Sequence, residues 1–206
     1  MRFVVGHHPL RDAYLSSKVT RGITGGRTQL GQALAKTRSS KDPAEYVLNH
    51  QKILKVGQSY IGICGPTSLK IVLNDYFSDP ELEVSLDSVH AIFRVWKRLH
   101  EVLRDDYFLK PDEDDDASFE SSRMEVLIAN EHGIFGLTAH RAVQEFSRFY
   151  AYGNGRDYAM GAMYASFEDE SKTAEEIARV GVRAASEFDD STGLPIFSFA
   201  LAHLGQ

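Results

Sequence analysis

The sequence predicts an α+β fold in which sheet packs on sheet and helices lie outside. Strand-like blocks are each followed by two segments of helical period, so the order runs strands, two helices, strands, two helices, one strand. Alternating βαβ units would instead place one helix after each strand. The 206 residues are 43% apolar, 11% aromatic and 25% charged, which fits one globular domain over residues 1–206 and excludes disorder, collagen and disulfide-stapled scaffolds.

Residues 2–6 (RFVVG) crowd β-branched and aromatic side chains and read as a strand that His7, His8 and Pro9 interrupt. Residues 13–20 (AYLSSKVT) read as a second strand, and 21–48, rich in Gly, Thr, Ser and Lys, as a long functional or mobile connection. Residues 52–56 (KILKV) and 60–64 (YIGIC) flank Gly57-Gln58, a hairpin signal. Pro66 in a first turn, followed by Leu69, Val72, Leu73 and Tyr76-Phe77, begins a helix that Ser78-Asp79-Pro80 stops. A longer helix is expected with Ser85 as N-cap and one stripe of Leu86, Val89, Ile92, Phe93, Trp96, Leu99 and Leu103.

Residues 105–119 include five consecutive carboxylates, Asp112 to Asp116, which repel one another and mark an exposed acidic insert. Strand alternation resumes at Met124, Val126 and Ile128 and again at Ile134, Phe135 and Leu137, with a turn at His132-Gly133. Residues 149–152 form a short strand ending in Gly153-Asn154-Gly155. A small-residue helix starts near Asp157, with Ala159, Ala162 and Ala165 around Gly161. Thr173 and Glu176 make a capping box for a helix carrying Ile177, Val180, Ala184 and Phe188, and residues 195–201 (PIFSFAL) close the chain as a strand.

Lys plus Arg number 23 against 29 Asp plus Glu, a net charge of −6, and no basic run occurs, so nucleic acid is not an expected partner. No apolar stretch approaches the roughly 20 residues that span a bilayer, and the first residues are too few for a signal h-region. A cytoplasmic protein without a membrane partner is therefore expected. The lone cysteine, Cys64, reads as a small buried residue of IGICG. His7-His8 lacks further ligands at metal spacing, the acidic run lacks the alternate spacing of a calcium loop, and neither a metal nor a cofactor is expected. Gly153-Asn154-Gly155 is either an anion-binding turn before a helix or a glycine turn that lets strand and helix pack closely.

Several segments in series resemble the proteasome β-type family, and in particular its bacterial homologues of the HslV and betaproteobacterial proteasome homologue kind. They are VTRG at 19–22, KILKVGQSYIGICG at 52–65, YGNGRDYAMGAMYA at 152–165, TAEEIARVGVRAASEFDDSTG at 173–193 and the closing apolar strand. The resemblance implies a four-layer αββα sandwich of the N-terminal-nucleophile hydrolase type. It also implies homo-oligomeric stacked rings enclosing a chamber, with the acidic insert at a pore or chamber wall.

The family's chemistry uses an N-terminal threonine or serine whose hydroxyl attacks a peptide carbonyl while its own α-amine takes the proton. By resemblance, Lys52 takes the place of the lysine that favours proton loss from the nucleophile, and the Gly65 amide faces the oxyanion. Asp189 and Thr192, followed by Gly193, fit the late D-x-x-S/T-G motif, and Asn154 replaces its serine partner. Met1-Arg2 offers no nucleophile, and Ser16 stands where the early aspartate belongs. A non-catalytic subunit with a structural, regulatory or peptide-holding role is expected, with peptides or an active paralogue as partners. The alternatives are a peptidase with an unconventional nucleophile such as Ser16 or Ser17, or a trimmed N-terminus, and a binding module unrelated to rings.

Overall fold

Strand 125–130 (EVLIAN) shows why two sheets stack here: its four central side chains are all apolar, so both faces of the strand must be covered. In the computed structural model, which describes residues 2–8, 11–18, 53–108, 124–138, 140–190, 192 and 196–201, that is what happens. One sheet is a five-stranded antiparallel meander in the order β3-β4-β5-β6-β7: β3 Ile53–Val56, β4 Ser59–Cys64, β5 Glu125–Asn130, β6 Gly133–Leu137 and β7 Val143–Phe146. The other has four strands in the order β8-β1-β2-β9: β1 Arg2–His8, β2 Arg11–Lys18, β8 Phe149–Tyr152 and β9 Ile196–Ala200.

Alternation along β5 assigns the layers. Val126 and Ile128 join Ile61, Ile63 and Phe135 under helices α1 (Thr67–Phe77) and α2 (Val89–Asp105), which contribute Leu73, Ile92, Trp96 and Leu99. Leu127 and Ala129 point the other way and pack with Ile53, Ile134 and Tyr152 between the sheets. On the far side, Ala151 of β8 packs under α3 (Arg156–Phe167) and α4 (Ala174–Phe188), through Ala159, Met163, Ile177, Ala178 and Val182. The expected four-layer αββα sandwich is the fold. Each fully buried Leu, Ile or Phe adds about 1.5–3 kcal/mol to the drive that holds these layers together.

The Thr173/Glu176 capping box forms as expected: Thr173 Oγ1 accepts from the Glu176 N–H at 3.2 Å, and the Thr173 N–H donates to Glu176 Oε2 at 2.7 Å. The hairpin at Gly57-Gln58 is also present, with Ile53 opposite Gly62 and Val56 opposite Ser59.

Several expectations are corrected. The cap of α2 is Ser88, whose Oγ accepts from the Ala91 N–H at 3.3 Å, whereas Ser85 Oγ donates to Asp87 at 2.6 Å. The reason lies at Leu86: Asn130 Nδ2 donates to its carbonyl at 2.7 Å, pinning this buried residue into the connection ahead of the helix. Val89 and Phe93 belong to the exposed surface of α2, and Phe188, the last residue of α4, projects to the surface and lies against Tyr158 at 5.5 Å. The buried stripe of α4 is Ala174, Ile177, Ala178, Gly181, Val182 and Ala185, one position off the expected one at Val180 and Ala184. Cys64 is half-buried at the end of β4. The connection at 21–48 and the acidic run Asp112 to Asp116 lie outside the described residues.

Candidate functional site

The register of the four-stranded sheet gathers several chain segments at one end. Arg2, the first residue of β1, pairs with Lys18, the last of β2, and Lys18 pairs with Ile196, the first of β9. Phe3 pairs with Tyr152, the last residue of β8. Two connections leave from this end: Gly153-Asn154-Gly155 into α3, and the segment after α4 that leads back into β9.

The first connection needs its glycine, because Gly153 has φ +101°, a backbone region that side-chain-bearing residues rarely enter. The Arg156 N–H donates to the Gly153 carbonyl at 3.0 Å and closes the turn, leaving Asn154 exposed and Gly155 buried as the N-cap of α3. The second connection is closed twice. Asp189 caps the C-terminus of α4, the Thr192 N–H donates to its carbonyl at 3.0 Å, and Thr192 Oγ1 donates to its carboxylate at 2.5 Å. A four-residue turn with both backbone and side-chain closure is a rigid support for whatever lies beside it.

The five-stranded sheet brings its own end to the same region. Cys64 closes β4, and Gly65 follows with φ +151°, again a glycine conformation, directly before Pro66 and α1. Between the sheets, Ile53, Cys64 and Tyr152 share one apolar cluster, so the segments that carry Lys52, Gly65 and Asn154 converge there. Lys52 itself lies outside the described residues. Ser16 sits in β2 opposite Val4 and Ser198, and Ser17 opposite Phe3 and Phe197. Ser198 is tied to α4: Arg179 Nη1 donates to its Oγ at 2.6 Å, and that Oγ donates to Glu175 Oε1 at 3.0 Å.

Tyr152 is the residue that the sequence reading passed over. It is 2% exposed, and its hydroxyl has no hydrogen-bond partner among the described residues. Burial raises its pKa, assisted by Tyr150, Glu125 and Cys64 and opposed by Arg156, so this phenol stays neutral throughout the physiological range. Its oxygen lies against Gly136, where an added Cβ would stand 2.7 Å away. The sequence signal was period-2 alternation in FYAY, which places Tyr152 and Tyr150 on the opposite face from Ala151. Among the described residues, no group of three His, Cys, Asp or Glu side chains is arranged to hold a metal ion, and no helix is long and apolar enough to cross a membrane.

Chemically, this end of the sandwich offers a carboxylate-hydroxyl pair, two glycine-dependent turns and an apolar floor. No family model and no curated protein matches the chain. Solved structures do: Thiobacillus denitrificans BPH, at 43% identity over 97% of both chains, superposes with a TM-score of 0.82, and the same protein in complex with epoxomicin gives 0.81. The chain belongs to the bacterial proteasome homologue (BPH) family. Eukaryotic HslV from Trypanosoma brucei, at 16% identity over 98% of this chain and all of its own, has a TM-score of 0.67 and shares the fold. As a BPH, the chain carries the N-terminal-nucleophile hydrolase sandwich that the sequence segments implied.

Proposed function

We propose that this BPH is a homo-oligomeric, ring-forming subunit of a self-compartmentalising assembly that lacks threonine-peptidase activity and serves a structural, regulatory or peptide-holding role in the cytoplasm. The feature that carries the reading is internal to the chain: Ser16, on a strand two residues from the convergent end, stands where the resemblance puts the family's aspartate. Proton transfer from a hydroxyl nucleophile relies on a lysine kept cationic and oriented by that carboxylate. A serine hydroxyl carries no charge and cannot serve such a lysine as counter-ion. Loss of one such group costs on the order of 10²–10⁴ in rate. Support of a different kind comes from what is kept. The Asp189–Thr192 closure, the turn at Asn154 and the Gly65 conformation are scaffold features that a ring subunit needs whether or not it cleaves peptides.

One observation favours a second reading, an active peptidase. A relative 43% identical to this chain has been solved with epoxomicin bound. Hydrolysis of fluorogenic peptides by the purified assembly, sized by light scattering, separates the two. Background turnover by an oligomer supports the non-catalytic reading. Turnover that disappears in Ser16→Ala or Ser17→Ala establishes the alternative with an unconventional nucleophile. A monomer would remove the chamber from either account.

A further inference from the structure

Outside the site described above, the helix layer over the five-stranded sheet contains a cleft of about 570 Å³ between α1, the connection at 78–88 and α2. This volume is within the usual range for small-molecule sites, roughly 300–1,000 Å³. Leu82 and Val95 give it apolar walls, and Tyr76, Arg94, Arg98 and Glu83 give it polar ones.

The polar groups are unevenly matched. Arg94 and Arg98 lie one turn apart on α2, so both guanidiniums emerge on the same side of the helix, and neither makes a hydrogen bond or ion pair among the described residues. Tyr76 is 8% exposed, and its hydroxyl is buried without a partner. Arg98 acts electrostatically on the Tyr76 phenol, which places positive charge on this wall of the cleft. Two guanidiniums on one helix face donate and do not accept, so the complementary ligand end is an anion. Glu83 on the wall and Asp79, which also acts on Tyr76, supply negative charge that disfavours a multiply charged phosphate.

We propose that this cleft binds a small amphiphilic monocarboxylate, with its carboxylate on Arg94 and Arg98 and its apolar body against Leu82 and Val95. The site is independent of the chemistry at the other end of the sandwich.

Calorimetric titration of the intact protein with octanoate, with octan-1-ol as the uncharged control of equal chain length, tests it. Saturable binding of one octanoate per chain is expected, with octanol at least about tenfold weaker. Arg94→Gln with Arg98→Gln should weaken octanoate by about tenfold or more. Octanoate should also protect Arg94 and Arg98 of the unmodified sequence from phenylglyoxal in peptide mass spectra, a readout that needs no variant to fold. Absence of saturable octanoate binding, equal affinity for octanol, or full labelling of both arginines in saturating octanoate each overturn the proposal.

Discussion

Gly136 sits where two aromatic groups leave no room. An added Cβ would meet the Phe146 ring at 2.6 Å and the Tyr152 oxygen at 2.7 Å, and Phe146 is itself stacked on Tyr150 at 3.9 Å. Gly136→Ala should therefore destabilise by about 1–3 kcal/mol in urea unfolding, and an unchanged midpoint would show that the rings give way. Tyr107 makes a different kind of contact: its hydroxyl donates to Asp75 at 2.5 Å, joining the end of α2 to α1, and this bond pushes its pKa up to about 12. The neutral phenol is the form favoured by folding. The contribution of the bond is complete below about pH 10 and lost as pH rises through about 12. Tyr107→Phe should flatten the fall in unfolding free energy between about pH 9 and pH 12, and a slope equal to the parent's would contradict this assignment.

Helix boundaries put the same logic at the scale of elements. Ser88→Ala should cost about 1 kcal/mol through loss of the α2 cap, while Ser85→Ala should cost clearly less in the same denaturation experiment. Equal losses would contradict the observed helix start. Periodicity made most elements legible because their burial is one-sided: the meander, the capping box of α4 and the strand 149–152 all carry local signals. The α2 boundary was not legible, because the decisive contact joins Leu86 to Asn130 across 44 residues. Strand β7 (VQEF) was missed for a related reason. It has no buried residue, and only pairing with β6 makes it a strand. At the convergent end of the sandwich, the Asp189–Thr192 turn was legible through its motif. Tyr152 was not, since its isolation depends on Gly136 and on the opposite sheet.

For the whole molecule, membership of the BPH family accounts for the sandwich, and the proposed function rests on an altered proton-transfer set. Lys52→Ala should leave assembly size unchanged in light scattering if Lys52 is a remnant of that set. Collapse of the oligomer would show instead that it holds the architecture. If the acidic run lines a pore or chamber wall, as the resemblance implies, its neutralisation should increase capture of acidic peptides relative to basic ones. The proposed absence of threonine-peptidase activity is tested most directly by the intact mass of the purified protein before and after exposure to a peptide epoxyketone. That reagent requires an N-terminal amine beside a nucleophilic hydroxyl on the same residue. An unchanged mass is the predicted result, and one adduct per chain would contradict it and make this BPH a peptidase.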